Sequence, residues 1–521
     1  MRKVLMLVLV LTFLMLPFTF AKTPKDTLVI AANTDILITL DPGGVYEVLG
    51  GVIVDACYDK LVDLTVVNGI LTPSPEVAQS WEISEDGRTY TFHIRKGIKF
   101  TTGRELTADD VVFSLKRHLK MGKPSSWMLP SLGINKENMD ETIKKIDDYT
   151  IQLVFGKPYS PNMILGILTF DFTGIVDKQE VLKHEQNGDL GETWLTDHTA
   201  GSGPFYLEDW ERNAYVMLKA NKSYWGEKPK LNAVIFRDVS ESTTQRLLLE
   251  KGDVDVAWNL LPENIEELKS KENVKIVSFP GHETRYVAMN CGWGPFKNPK
   301  VRLAVKYAID YDGLIKEIKK GYAIKVQGFI MKGYFGFVNE TPFKQNIEKA
   351  KKLLAEAGYP NGFEVELLTG TEWKEDAVKI QSDLAKIGIK ANLVVMQRSQ
   401  MYAKYRQQGH QMVLARWGSD YPDPDALAKP FADYTTKSLA WRNMWYDDYA
   451  SRLTKKAAFE KNPDRRAQMY EDLTDYWFLN GPFAILYQVV SYWAIRDNVK
   501  GFEEAAEGYS LRFDFTKIYK E

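Results

Sequence analysis

The chain has 521 residues, 67 basic against 69 acidic side chains, and a formal charge of −2. That length exceeds what a single hydrophobic core supports, so two or three lobes are expected. The near-balanced charge argues against a nucleic-acid binder, and 45% hydrophobic with 26% charged residues is the composition of a soluble globular protein.

The first 21 residues stand apart. Arg2 and Lys3 precede an apolar run from Val4 to Phe20, and Ala21 follows it. This is the pattern of a secretory signal peptide over residues 1–21, cleaved after Ala21. The run approaches the length of a membrane span, so an uncleaved anchor is the alternative. Loss of Arg2 and Lys3 takes the formal charge from −2 to −4. No cysteine lies near the cleavage point, so a lipid anchor is not expected, and the expected compartment is the periplasm. No later segment is long and apolar enough to span a bilayer.

Thr27 to Ala32 reads as a strand, followed by the polar turn Asn33-Thr34-Asp35. Apolar residues from Val45 to Leu61 recur at helical spacing. The same sheet resumes with Phe205–Leu207, Val216–Ala220 and Ala233–Val239. The stretch between reads as an insert with a small sheet of its own. There Trp81–Ser84 and Thr89–Ile94 flank Asp86-Gly87, a hairpin signal, and Tyr90, Phe92 and Ile94 alternate with polar residues. Thr107-Ala108-Asp109-Asp110 opens a helix over 108–119 with a capping box. Asp255 to Asn259 ends another short strand and points Trp258 and Asn259 toward a cleft, with core packing an equal alternative for Trp258.

Arg285 to Asn290 is an apolar strand. Asn298, Asp310 and Asn346 are expected helix caps, with Pro299 at the first helical position and Gly358 closing the helix over 347–357. Phe363–Leu368, Ala391–Met396 and Met412–Ala415 read as strands. They alternate with helices over 373–386 and from Ser399, a plausible cap, to Gln408, ended by Gly409. This β-α-β-α-β order implies parallel strands joined by right-handed crossovers, with ligands beyond the carboxyl ends of the strands. Those ends carry Trp373 and then Trp417, Gly418, Ser419 and Asp420. Trp441 and Trp445 share a face if their segment is helical, with core packing as the default. Ile485 to Val490 is a further apolar strand.

Two stretches bear a family resemblance. Trp417-Gly418-Ser419-Asp420-Tyr421-Pro422-Asp423-Pro424-Asp425 resembles the W-x-x-D-Y-x-D-P loop of the family 5 extracytoplasmic solute-binding proteins of ABC importers. The run from Ala78 to Arg117 is similar to the same family's signature, and shorter matches lie at Gly201–Phe205, Asn221–Trp225 and Gly252–Asp255. The resemblance implies an α/β, two-lobed periplasmic-binding-protein fold of type II with an extra inserted subdomain. It places lobe I at 22–66, 200–284 and 491–521, the insert at 67–199 and lobe II at 285–490. It also implies chain crossings at Arg285–Asn290 and Ile485–Val490, a hinge that closes around ligand. In peptide-binding members the first Asp of the loop holds the ligand's α-ammonium, which here falls on Asp420. Thr34, Trp258, Asn259, Asn290, Trp373, Trp417, Gly418 and Ser419 complete the expected lining.

The expected role is a non-enzymatic receptor that delivers a short peptide to an ABC permease, monomeric and without nucleic acid. An oligosaccharide is the alternative ligand, because 13 tryptophans are many for this length and indoles suit sugar rings. A secreted glycoside hydrolase is the distant alternative, with Asp420, Asp423 and Asp425 as candidate carboxylates. Cys57 and Cys291 fall in different lobes and are expected as free thiols, although export permits a disulfide. The six histidines show no metal-ligand spacing, so neither metal nor cofactor is expected. The leader pattern predicts that mass spectrometry of the exported protein finds an N-terminus at Lys22; full-length chain in the membrane fraction would identify an anchor instead.

Overall fold

The computed structural model describes residues 23–258, 260–506 and 513–521. The expected signal peptide and Asn259 lie outside them. Ten strands form a continuous path through one mixed sheet: β1 (Thr27–Ala32), β2 (Phe205–Glu211), β3 (Tyr215–Ala220), β4 (Ala233–Asp238), β5 (Val256–Trp258), β6 (Val274–Met289), β7 (Glu364–Gly370), β8 (Lys390–Met396), β9 (Met412–Gly418) and β10 (Phe483–Arg496). Their spatial order is β8-β7-β9-β6-β10-β5-β1-β4-β3-β2, and Ala323–Ile324 joins β10 as an eleventh strand.

β7 pairs parallel with both β8 and β9, which is what the alternating strands and helices require. β1 pairs parallel with β4 and β5. Between these parallel groups run β6 and β10, 16 and 14 residues long and antiparallel to each other. The apolar runs at Arg285–Asn290 and Ile485–Val490 are thus parts of much longer strands. Val277, Phe279, Trp493 and Ile495 sit in one hydrophobic core with β1 and β4. Tyr286 to Met289 and Phe483 to Tyr487 sit in a second core with β7 and β9. The ladder breaks register between Pro280 and Thr284, opposite Val490 and Gln488. Pro280 has no N–H to offer the ladder, and three residues there face one, which bends the pair.

The insert has a four-stranded antiparallel sheet of Ala78–Ile83, Thr89–Ile94, Thr150–Val154 and Ile143–Asp147. Tyr90, Phe92 and Ile94 point into its core as the alternation requires. The helix Ala108–Met121 begins at Thr107, whose N–H donates to Asp110 Oδ2 at 2.9 Å. The expected edge of the insert at 66/67 falls inside an antiparallel hairpin, Val62–Val67 with Ile70–Pro75. That hairpin reaches the far lobe, where Leu71 joins the second core and its N–H donates to Gly333. A buried bidentate pair, Arg117 to Asp41 at 2.7 and 2.6 Å, fastens the insert's helix to the loop after β1.

Two helix ends differ from expectation. The helix after β8 spans Arg398–Arg406, so Ser399 lies inside it and the extended cap residue is Gln397. The left-handed residue that ends it is Gln408, φ 62°, rather than Gly409. Cys57 is buried and Cys291 half-buried, both as free thiols, and burial pushes each thiol up.

The sequence Gly201-Ser202-Gly203 has a packing reason. A Cβ on Gly203 would lie 2.5 Å from the Cys57 carbonyl carbon and 2.8 Å from the Ala56 oxygen, while Ser202 donates to Asp59 Oδ2 at 2.7 Å. Backbone cannot yield as a flexible side chain does. Gly203→Ala is therefore expected to destabilise by about 1–3 kcal/mol, the cost of overpacking, as a lower urea midpoint with an unchanged slope.

Candidate functional site

A cavity of about 660 Å³ opens between the helix Val48–Cys57 of the first lobe, the insert around Phe170, and the carboxyl ends of β8 and β9. This is the crevice an open α/β sheet offers. The loop after β9 builds one wall. Ser419 N–H donates to His282 O at 3.0 Å and its hydroxyl to Tyr421 O at 2.6 Å, so Ser419 is buried and holds the turn. Tyr421 leaves this loop to pack in the insert's core.

The acids of this loop have separate tasks. Arg466 makes a buried bidentate pair with Asp423 at 2.7 and 2.6 Å and donates through Nε to Ala457 O. Asp425 accepts from the Tyr421 hydroxyl at 2.9 Å and pairs with Lys429 at 2.7 Å. Asp420 alone of the three lines the cavity. Its Oδ1 accepts from Tyr46 Oη at 2.8 Å, a bond from one lobe to the other. Burial lifts the Asp420 carboxyl above the usual range, partly offset by that hydrogen bond, and raises the Tyr46 phenol as well. Among the described residues no cation pairs with Asp420.

Charge is segregated across the cavity. Glu47, Asp55 and Asp171 line one side, where Lys60 pairs with Asp55. Burial, and then the neighbouring Asp55, pushes the Asp171 carboxyl up to about 7 against the pull of Lys60. The facing wall carries Arg398, Arg406, Arg416 and Arg442. His282 lines the same wall, and burial with the nearby Arg416 pushes its imidazole down to about 4, so it is neutral at pH 7.

Trp417, Gly418, Ser419 and Asp420 line this cavity together. A Cβ on Gly418 would meet His282 O at 3.4 Å, an ordinary contact, so no close backbone approach within the chain demands glycine there. Four other expected lining residues lie elsewhere. Trp373 is buried behind Tyr402, edge-on to it at 6.4 Å and under the Arg285 guanidinium. Trp258 stacks on Trp493 at 4.2 Å within the first core, its apolar face spent on packing. Asn290 donates to Gln408 O and His410 O and accepts from Gly292 N–H, tying two loops. Thr34 donates its N–H and hydroxyl to Asp238 Oδ1. The helix Leu439–Arg442 is too short to put Trp441 and Trp445 on one face; Trp445 is core, and it is Arg442 that reaches the cavity.

Sequence reasoning missed Tyr46, Asp171, Tyr402 and the arginines. The spacing Arg398-x3-Tyr402-x3-Arg406 is a one-face helical signal available beforehand. Tyr46 and Asp171 carry no such signal, because only the tertiary fold brings them opposite Asp420.

Residues 72–438, more than half of the chain, match the family model described as bacterial extracellular solute-binding proteins, family 5, middle region. The chain belongs to this family. It is 28% identical over 465 residues to the dipeptide-binding protein of Escherichia coli K12, covering 85% of this chain and 86% of that one. It is 27% identical over 514 residues to the glutathione-binding protein GsiB of Salmonella choleraesuis, covering 93% and 95%. Among solved structures, DppA from Helicobacter pylori in complex with peptide STSA superposes with a TM-score of 0.76 at 29% identity, covering 95% and 98%. HbpA2 from Haemophilus parasuis superposes at 0.83 with 27% identity, covering 95% and 100%. The family is one of solute-binding proteins of the two-lobed α/β fold. Among the described residues no helix is long and apolar enough to cross a membrane, and no cluster of three or more His, Cys, Asp or Glu is placed to hold a metal.

The loop's anchor generates a prediction. Asp423→Ala leaves the Arg466 charge buried and unpaired, which is expected to cost about 3–5 kcal/mol, whereas Asp423→Ala with Arg466→Met recovers much of the loss. Denaturant melts of the two variants check it.

Proposed function

We propose that this family member is the periplasmic receptor of an ABC importer, and that it captures a short peptide in the cavity, with Asp420 pairing to the ligand's free α-ammonium. One observation carries the reading: the half-buried Asp420 carboxylate stands in the cavity wall, met by the Tyr46 hydroxyl and by no cation among the described residues. A volume of about 660 Å³ suits a small ligand, with room for a few residues. Relatives whose names specify dipeptides and glutathione, and a neighbour solved with a bound peptide, support a peptide over a sugar. So does the placing of the indoles. Of the second lobe's Trp373, Trp417, Trp441 and Trp445, Trp417 lines the cavity and the others do not, which leaves few indoles to stack on a sugar.

A receptor role also accounts for the acids better than hydrolysis does. Asp423 and Asp425 are committed to Arg466, Tyr421 and Lys429, leaving Asp420 without a carboxylate partner from its own loop. Capture then works through closure. The two lobes share the strands β6 and β10, whose register break at Pro280–Thr284 is the place for a hinge. The Tyr46 to Asp420 bond, which joins the two lobes at the cavity, supports this reading. A ligand ammonium bonding both Asp420 and Tyr46 would favour the closed form by its differential contacts, and the closed form is what a permease would recognise.

Asp420→Asn keeps the shape and removes the charge. Truncating one partner of a buried charge pair costs about 2–5 kcal/mol, so peptide affinity is expected to fall by well over tenfold. Trp417→Ala is expected to cost less for a peptide and more for a stacked sugar. Calorimetry with the same peptide on both variants checks this; a peptide indifferent to Asp420→Asn sinks the ammonium assignment.

A further inference from the structure

The arginines on the second lobe are more numerous than one C-terminal carboxylate requires. Arg398 and Arg406 are the first and last residues of one nine-residue helix, with Tyr402 midway. Spaced at i, i+4 and i+8, the three share a face, and all three line the cavity. At 1.5 Å per residue the two arginine Cα atoms stand about 12 Å apart along the axis. Each therefore presents its own anion position.

Both side chains are exposed, and the protein holds neither in a close carboxylate pair. The Arg406 guanidinium lies over the Tyr402 ring at 5.6 Å and, among the described residues, pairs with no carboxylate. Arg398 has Glu372 at a loose 3.8 Å, with its own side chain 59% exposed. Arg416 differs, since Glu283 already pairs with it. Across the cavity stand Glu47, Asp171 and the Lys60–Asp55 pair, so the arginine side is the more cationic wall and the one an anionic ligand group approaches. The planar fork of arginine suits a carboxylate in two-bond geometry, which a neutral amide matches poorly.

We propose that the receptor selects acidic peptides: ligands with a free ammonium at Asp420 and two separate carboxylates, the C-terminus and an acidic side chain, taken by Arg398 and Arg406. The inference rests on the reading of the cavity as a peptide site. A neutral peptide would engage one of the two guanidiniums and leave the other in water.

The test is calorimetry on full-length mature protein freed of ligand, at low ionic strength, with matched peptides differing at one group. Ala-Glu is compared with Ala-Gln, and Ala-Glu-Ala with Ala-Gln-Ala. The Glu member of at least one pair is expected to bind tenfold or more tightly. That ratio is expected to fall to threefold or less in both Arg398→Gln and Arg406→Gln, and to be largely kept in Arg406→Lys. Equal affinity within each pair overturns the acidic preference while the peptide reading stands. A Glu preference that survives in both glutamine variants overturns the assignment to these arginines. If no member of either pair binds, the peptide reading fails and this inference falls with it.

Discussion

The antiparallel pairing of β6 with β10 is the constraint on which the rest depends. Two strands of 16 and 14 residues run side by side through both hydrophobic cores, so the lobes are halves of one hydrogen-bonded sheet. Strands buried on both faces read as apolar runs, and the second-lobe end of the pair, Tyr286–Met289 with Phe483–Tyr487, obeys this, whereas Val274–Phe279 alternates with the exposed Lys275 and Ser278. At the register break the chain reads Pro280-Gly281-His282-Glu283, and His282 from this irregular turn lines the cavity. The His282 carbonyl accepts the Ser419 N–H and so seats the loop after β9, and Glu283 pairs with Arg285 and Arg416. The same few residues thus join the lobes and position the site between them.

Irregular segments elsewhere are held by charges taken out of water. Arg466 to Asp423 seats the Pro-rich loop, and Arg117 to Asp41 seats the insert. Such pairs add little net stability over apolar packing, but they specify geometry, because breaking one leaves a buried charge. A related device closes the helix Pro463–Asn480. Lys306 Nζ donates to Phe478 O at 2.7 Å and Arg302 donates to Asn480 O at 2.7 Å, satisfying carbonyls that a helix end leaves open. Burial holds the Lys306 ammonium well below its ordinary value, as expected without a carboxylate beside it.

The cavity uses the opposite principle. Its charges are left partly unmet by the protein: Asp420 by any cation, Arg406 by any anion among the described residues. Groups of opposite sign lining one cavity favour a ligand that carries both charges, and such pairings gain strength where water is excluded. The scaffold thus uses satisfied charge pairs, whereas the cavity keeps Asp420 and Arg406 without an ionic partner among the described residues.

Elements were legible in the sequence wherever periodicity and turn chemistry act locally. The bounds of Thr27–Ala32, the hairpin at Asp86-Gly87, the caps at Asn298 and Asn346 and the parallel β7-β8-β9 unit follow from side chains next to each other along the chain. The loop that ends at Asp420 was legible too, since its position beyond β9 is fixed by strand order. What the tertiary structure alone decided is which side chains face one another. Trp258 became core because Trp493, 235 residues later, stacks on it, and Thr34 was taken by Asp238. Tyr46 meets Asp420 across 374 residues of sequence. Burial and partnership of a polar or aromatic side chain depend on those distant neighbours, and local pattern carries no record of them.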